Sequence, residues 1–156
     1  MYQSEWTDKT MLHILPHWNW NEGDKIDIWA YYNNADEVEL LLNGTSLGRS
    51  SKTNERLHAF WPEVAFEAGT IEAVSYKNGK EVARAKHITA ADAERLKLSA
   101  DRKVIAADGY DLSFITIEAL DKEGPPVPTA NHMLKFSVSG KGELFGVDNG
   151  NAADPL

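Results

Sequence analysis

The sequence predicts an all-β chain of two consecutive immunoglobulin-like β-sandwich domains, the second of them truncated. Three observations predict it. Apolar residues recur at every second position over short runs, the spacing that gathers them on one face of a strand. Asn-Gly pairs and other glycine-containing turn signals separate those runs at near-regular intervals. Residues 90–95 (Ala-Ala-Asp-Ala-Glu-Arg) are the one stretch of helical composition, and they are far too short to persist as a helix alone.

Taken in order, Lys25–Tyr32 places Ile26, Ile28, Ala30 and Tyr32 on one face and Asp27, Trp29 and Tyr31 on the other. Glu37–Leu42 repeats the alternation with Val38, Leu40 and Leu42 inward. Asn43-Gly44 follows at once, a type I′ turn signature because both residues tolerate φ > 0. A return strand through residues 46–48 closes a hairpin. Residues 58–61 and 64–66 flank Pro62 and predict one strand interrupted there. A second hairpin runs through residues 70–76, the turn Asn78-Gly79, and residues 81–85. These elements predict a first sandwich over residues 4–88 and a linker of at most one turn over 89–95.

The pattern restarts at residues 96–99, turns at Asp108-Gly109, and continues in residues 112–120 as the longest strand. Residues 122–126 form a stop and turn, and residues 134–138 and 144–147 read as further strands. Four or five strands over residues 96–156 fall short of the roughly seven a sandwich needs, so this domain is expected to be incomplete.

Composition removes several classes of function. The 156 residues include no cysteine, which excludes disulfides, cysteine-ligated zinc, iron–sulfur clusters and a thiol nucleophile. A net charge of -8, from 24 acidic against 16 basic residues, argues against a nucleic-acid partner. No apolar run approaches the ~20 residues of a membrane span, so no membrane insertion is expected. Residues 1–6 have neither a basic nor an apolar segment of the signal-peptide kind. No cofactor motif appears either, because Gly140-Lys141-Gly142 lacks the spacing and the following helix of a phosphate loop.

Among candidate sites, Asn21-Glu22 matches the dipeptide that carries the acid/base glutamate in many barrel glycosidases. Here it precedes Gly23-Asp24 in a turn with no βα repeats around it, and the turn is the better reading. His13 and His17 are four apart, a zinc-ligand spacing, but Pro16 breaks any helix between them. The aspartates around Gly109 and Gly150 lack the 12-residue calcium loop, so no metal is expected. The aromatics are the stronger candidates. His17, Trp18, Asn19 and Trp20 form one aromatic–polar segment, with both indoles on one side of an extended chain, and Trp29 and Tyr31 share the outer face of their strand. Flat indoles stack on the C–H faces of sugar rings. The alternatives are burial in the core and a seam against a neighbouring domain, and these are weighted above the sugar platform.

Residues 11–20 (Met-Leu-His-Ile-Leu-Pro-His-Trp-Asn-Trp), then Glu22-Gly23, together with residues 38–48 (Val-Glu-Leu-Leu-Leu-Asn-Gly-Thr-Ser-Leu-Gly), are a distinctive pair of strings. They resemble the region just after the catalytic barrel in family 2 glycoside hydrolases, above all β-galactosidases of gut Bacteroides-type bacteria. Residues 96–102 and 146–150 resemble the next immunoglobulin-like module of the same enzymes. The resemblance implies a non-catalytic C-terminal accessory region. The catalytic glutamates would lie on a barrel upstream of Met1, and the parent would be periplasmic or secreted. That barrel is the implied partner, with an oligosaccharide as a second. A closing segment after Leu156 is also implied, and its absence would leave residues 96–156 open to self-association.

Overall fold

The computed structural model describes residues 2–150, and its strands follow the alternation of the sequence. A short helix α1 (Tyr2–Trp6) precedes nine strands: β1 (Leu12–Leu15), β2 (Lys25–Tyr32), β3 (Glu37–Leu42), β4 (Thr45–Ser50), β5 (Ala59–Ala65), β6 (Thr70–Lys77), β7 (Lys80–Ile88), β8 (Arg95–Ala100) and β9 (Ile115–Leu120). All pairings between them are antiparallel. The first seven strands make two sheets, β1-β2-β5 and β4-β3-β6-β7, while β8 and β9 form a separate two-stranded sheet, to which Pro126 adds a single bridge at Leu120. The chain is therefore an all-β sandwich architecture.

The core lies between the first two sheets. Ile14, Ile28, Ala30 and Tyr32 point inward from one sheet, and Val38, Leu40, Ile71 and Ala73 from the other. β2 buries every second residue, and β3 does the same, as the sequence pattern demands. Burying residues of this size contributes about 1.5–3 kcal/mol each, so this alternation is the main term holding the sheets face to face.

Both Asn-Gly turns form as expected. Asn43 and Gly44 have φ of 49° and 83°, and Asn78 and Gly79 have 50° and 74°, the paired left-handed values of a type I′ turn. Asn43 also reaches across the sheet: its Oδ1 accepts the Thr70 N–H at 2.8 Å and its Nδ2 donates to the Ala68 carbonyl at 3.1 Å. Gly69 lies so close that a Cβ there would meet Asn43 Oδ1 at 1.9 Å.

The interruption at Pro62 is a β-bulge. Ile28 faces Trp61 and Ile26 faces Val64, so Pro62 and Glu63 together oppose Asp27 alone. Pro62 has no N–H to offer the ladder, and the Glu63 N–H is taken instead by the Asp27 carboxylate at 3.0 Å.

Three expectations are corrected. Residues 134–138 and 144–147 alternate like strands but form none, and residues 131–150 are exposed throughout. Alternation makes a segment ready to pair; a strand exists only once a neighbour takes its N–H and C=O groups. The long strand expected over residues 112–120 is confined to β9 for the same reason, because β8 offers partners only from Ala100 to Arg95. Residues 2–6, where no element is predicted, form α1, which Lys52 holds through an ion pair to Glu5.

Candidate functional site

The segment after β1 turns out of the strand through a cis Leu15–Pro16 peptide. His17, Trp18, Asn19 and Trp20 then point in different directions, so the two indoles do not share one side of the chain. Trp18 is 1% exposed and belongs to the core, with its ring 5.2 Å from that of Phe66. Its Nε1 donates to the Glu67 carbonyl at 3.0 Å, the partner a buried indole N–H requires.

Asn19 reaches the connection between the sandwich and β8. Its Nδ2 donates to the Ala90 carbonyl at 2.8 Å, and its Oδ1 accepts the Ala90 N–H at 3.0 Å. Next to it, the Thr89 hydroxyl donates to the Trp18 carbonyl at 2.9 Å and accepts the Gly69 N–H at 3.1 Å. One residue further, the Ala91 N–H donates to Asp121 Oδ2 at 3.0 Å. Asp121 Oδ1 accepts the N–H groups of Glu123 and Gly124, both at 2.8 Å. Residues 89–91 are thus held by side chains from both ends of the chain and contain no helical turn.

Trp20 is exposed, at 37%, and stacks on His17 with ring centroids 4.6 Å apart. Its Nε1 donates to the His17 carbonyl at 2.8 Å. Burial pushes the His17 imidazole pKa down, and the nearby His87 adds to that; the same two causes act on His13.

Trp29 and Tyr31 do lie on the outer face of β2, and two residues that sequence reasoning passed over join them there. Phe60, the cross-strand partner of Trp29, has its ring nearly parallel to the indole at 6.3 Å. His58 meets Trp29, Tyr31 and Phe60 at 6.3, 5.3 and 6.3 Å. Burial among these rings lowers the His58 pKa, helped by Arg56. The signal was present in the sequence, since His58 and Phe60 alternate with the buried Ala59 and Trp61.

The opposite sheet presents a different outer face. The Arg49 guanidinium binds Glu37 and Glu39 and covers the Tyr76 ring at 4.3 Å. Glu39 also accepts from Tyr76 at 3.0 Å and from Ser46 at 2.7 Å. Arg84 bridges Glu72 and Glu81 at 2.8 and 2.9 Å. Glu22 stands apart from all these groups, exposed in the turn between β1 and β2. Among the described residues no cluster of three or more potential metal ligands is present.

Known proteins resemble this chain in sequence along almost its whole length and in structure over about four fifths of it. Residues 23–83 match a domain of unknown function, DUF4982, and residues 96–155 match the glycoside hydrolase family 2 C-terminal domain 5. A β-galactosidase of Bacteroides ovatus is 48% identical over 151 residues, 97% of this chain but 18% of that protein. A protein named a putative β-glucuronidase, from Formosa agariphila, is 41% identical over 160 residues, 99% of this chain and 15% of its own length. Among solved structures, a β-glycosidase from Bacteroides vulgatus superposes with a TM-score of 0.72 at 38% identity, covering 81% of this chain and 16% of that one. A glycosyl hydrolase family 2 member from Bacteroides cellulosilyticus gives 0.67 at 38% identity, covering 80% and 19%. The chain spans less than a fifth of each.

Proposed function

We propose, for a chain that belongs to the C-terminal region of family 2 glycoside hydrolases, a non-catalytic supporting role in a larger β-galactosidase-like enzyme. The observation that carries this reading is the use made of the aromatic segment. Trp18 is in the core and Asn19 holds the linker, so the most distinctive string in the sequence builds and braces the region. Three acidic residues on the strands point the same way, because Glu37, Glu39 and Glu72 are each paired with arginine. In the larger protein, two carboxylates on a barrel would remove terminal β-galactosyl groups with retention, through a covalent glycosyl-enzyme intermediate.

Incubation with a chromogenic β-galactoside tests the reading, and the isolated chain is expected to give no turnover. Hydrolysis above blank that disappears in Glu22→Gln would overturn it.

A second reading, an autonomous carbohydrate-binding module, is favoured by the exposure of Trp20 and Trp29 beside His17 and Tyr31. Isothermal titration with galactose, lactose and β-galactans separates the two. A saturable isotherm weakened by Trp29→Ala would make the module reading the leading one.

A further inference from the structure

We infer that the outer face of β1-β2-β5, centred on Trp29, Tyr31, His58 and Phe60, is the surface that seats against the catalytic region of the larger enzyme. This rests on the supporting role proposed above and adds to it the face through which support is given. Scattered apolar side chains on a surface need no explanation, whereas a contiguous aromatic patch does. Here His58, just before β5, has its ring next to those of Trp29, Tyr31 and Phe60, and Trp29 stacks on Phe60, so the four form one cluster. Leu15, paired with Trp29 across β1, extends the patch and is 36% exposed. Such composition, rich in Trp, Tyr and Phe with few charges at its centre, is that of an interface core.

The contrast with the other sheet selects the face. Covering Glu37, Glu39, Glu72, Arg49 and Arg84 would strip water from charges that already satisfy one another, at a desolvation cost with no new partner in return. Covering the aromatic face releases water from its rings, and the charge beside them, Arg56, already lies over the Phe60 ring at 5.2 Å, where a cation–π contact compensates part of its lost hydration.

The path of the chain selects the occupant. The residues entering the sandwich are stitched beside β1, the edge strand of the aromatic sheet. Asn33 binds the Met11 N–H at 2.8 Å and the carbonyls of Thr7 and Lys9 at 2.8 and 2.9 Å. Asn34 adds the Asp8 carbonyl at 2.8 Å. Whatever precedes the sandwich arrives at the end where Asn33 and Asn34 follow β2, next to Tyr31, and a C-terminal domain of a family 2 glycoside hydrolase would have the catalytic region before it.

Hydroxyl-radical footprinting read by mass spectrometry, on the full-length enzyme and on the 156-residue chain, is the test. Trp29, Tyr31, His58 and Phe60 should label several-fold more slowly in the full-length enzyme, with Tyr76 labelling equally in both. Equal labelling of the four with protection of Tyr76 overturns this face and keeps the supporting role. Equal labelling of every side chain in the two samples removes both.

Discussion

The Asn19 side chain pairs with Ala90 as one strand residue pairs with another, giving an N–H to its carbonyl and taking its N–H in return. The two are 71 positions apart, so the contact closes a long loop, and its geometry suits only a primary amide. An aspartate could accept but not donate, and a leucine could do neither. The Ala90 backbone is buried, and a backbone pair left without partners costs about 1–3 kcal/mol. Asn19→Ala is therefore expected to lower the unfolding free energy by about 1–2 kcal/mol in a urea titration, with Asn19→Asp no better. An unchanged midpoint in both variants would show that water replaces the amide at no cost.

Asp121 is the corresponding anchor for Ala91, the next residue along, and its protonation state is the lever. Burial opposes its ionisation, but the N–H groups of Ala91, Gly124 and Glu123 together outweigh that and hold its pKa below the usual aspartate value. A lowered folded-state pKa gives stability that is present above the unfolded-state value and is lost as pH falls through the folded one. Asp121→Asn mimics the acid form. Its amide can keep one oxygen on Glu123 and Gly124, which turns an NH2 toward the Ala91 N–H. Hydrogen exchange at Ala91 should then accelerate while exchange in β2 and β3 stays as it was.

The histidines give a second pH dependence, in a higher window. His13, His17 and His58 are all held below the ordinary imidazole value, chiefly by burial. The unfolded chain takes up protons near pH 6.5, while the folded chain resists until the pH is lower. Stability should fall as the pH drops below about 6.5 and level off once the folded-state values are passed. Melting temperatures measured from pH 8 to pH 5 should show this slope, and a His13→Gln, His17→Gln, His58→Gln variant should flatten it. A wild-type profile without slope in that window would mean the imidazoles gain water or a partner on protonation.

What was legible in the sequence was whatever the chain settles locally. β2, β3, β6 and β7 followed from period-two alternation and from two Asn-Gly turns whose φ values belong to the dipeptides themselves. The break at Pro62 was legible too, although its form as a bulge depends on Asp27, 36 positions from the Glu63 N–H it accepts. The aromatic segment was not legible in detail. After Pro16 there is no period, and whether Trp18 or Trp20 goes inward is decided by Phe66 and Glu67, far along the chain. Residues 134–138 failed in the opposite way: their alternation is genuine, but no described strand takes their N–H and C=O groups.

The last prediction concerns that missing neighbour. β8 and β9 form a hairpin with two unlike faces. Leu96, Leu98, Ile115 and Ile117 line one, and Lys97 and Glu118, in a 2.7 Å ion pair, belong to the other. The apolar face is uncovered, with Leu96, Leu98 and Ile115 at 50, 63 and 57% exposure. A lone two-stranded hairpin is marginal in water, and open edges recruit strands from other molecules. We therefore expect concentration-dependent association in sedimentation velocity, abolished by Leu98→Lys with Ile115→Lys. All five tryptophans lie at or before Trp61, so indole fluorescence reports the first sandwich alone. Its melting should survive the double substitution unchanged and lie above the loss of amide protection in β8 and β9. A strictly monomeric sample with strong, uniform protection over residues 112–147 would sink the idea, because it would mean that residues 134–147 cover the hairpin themselves.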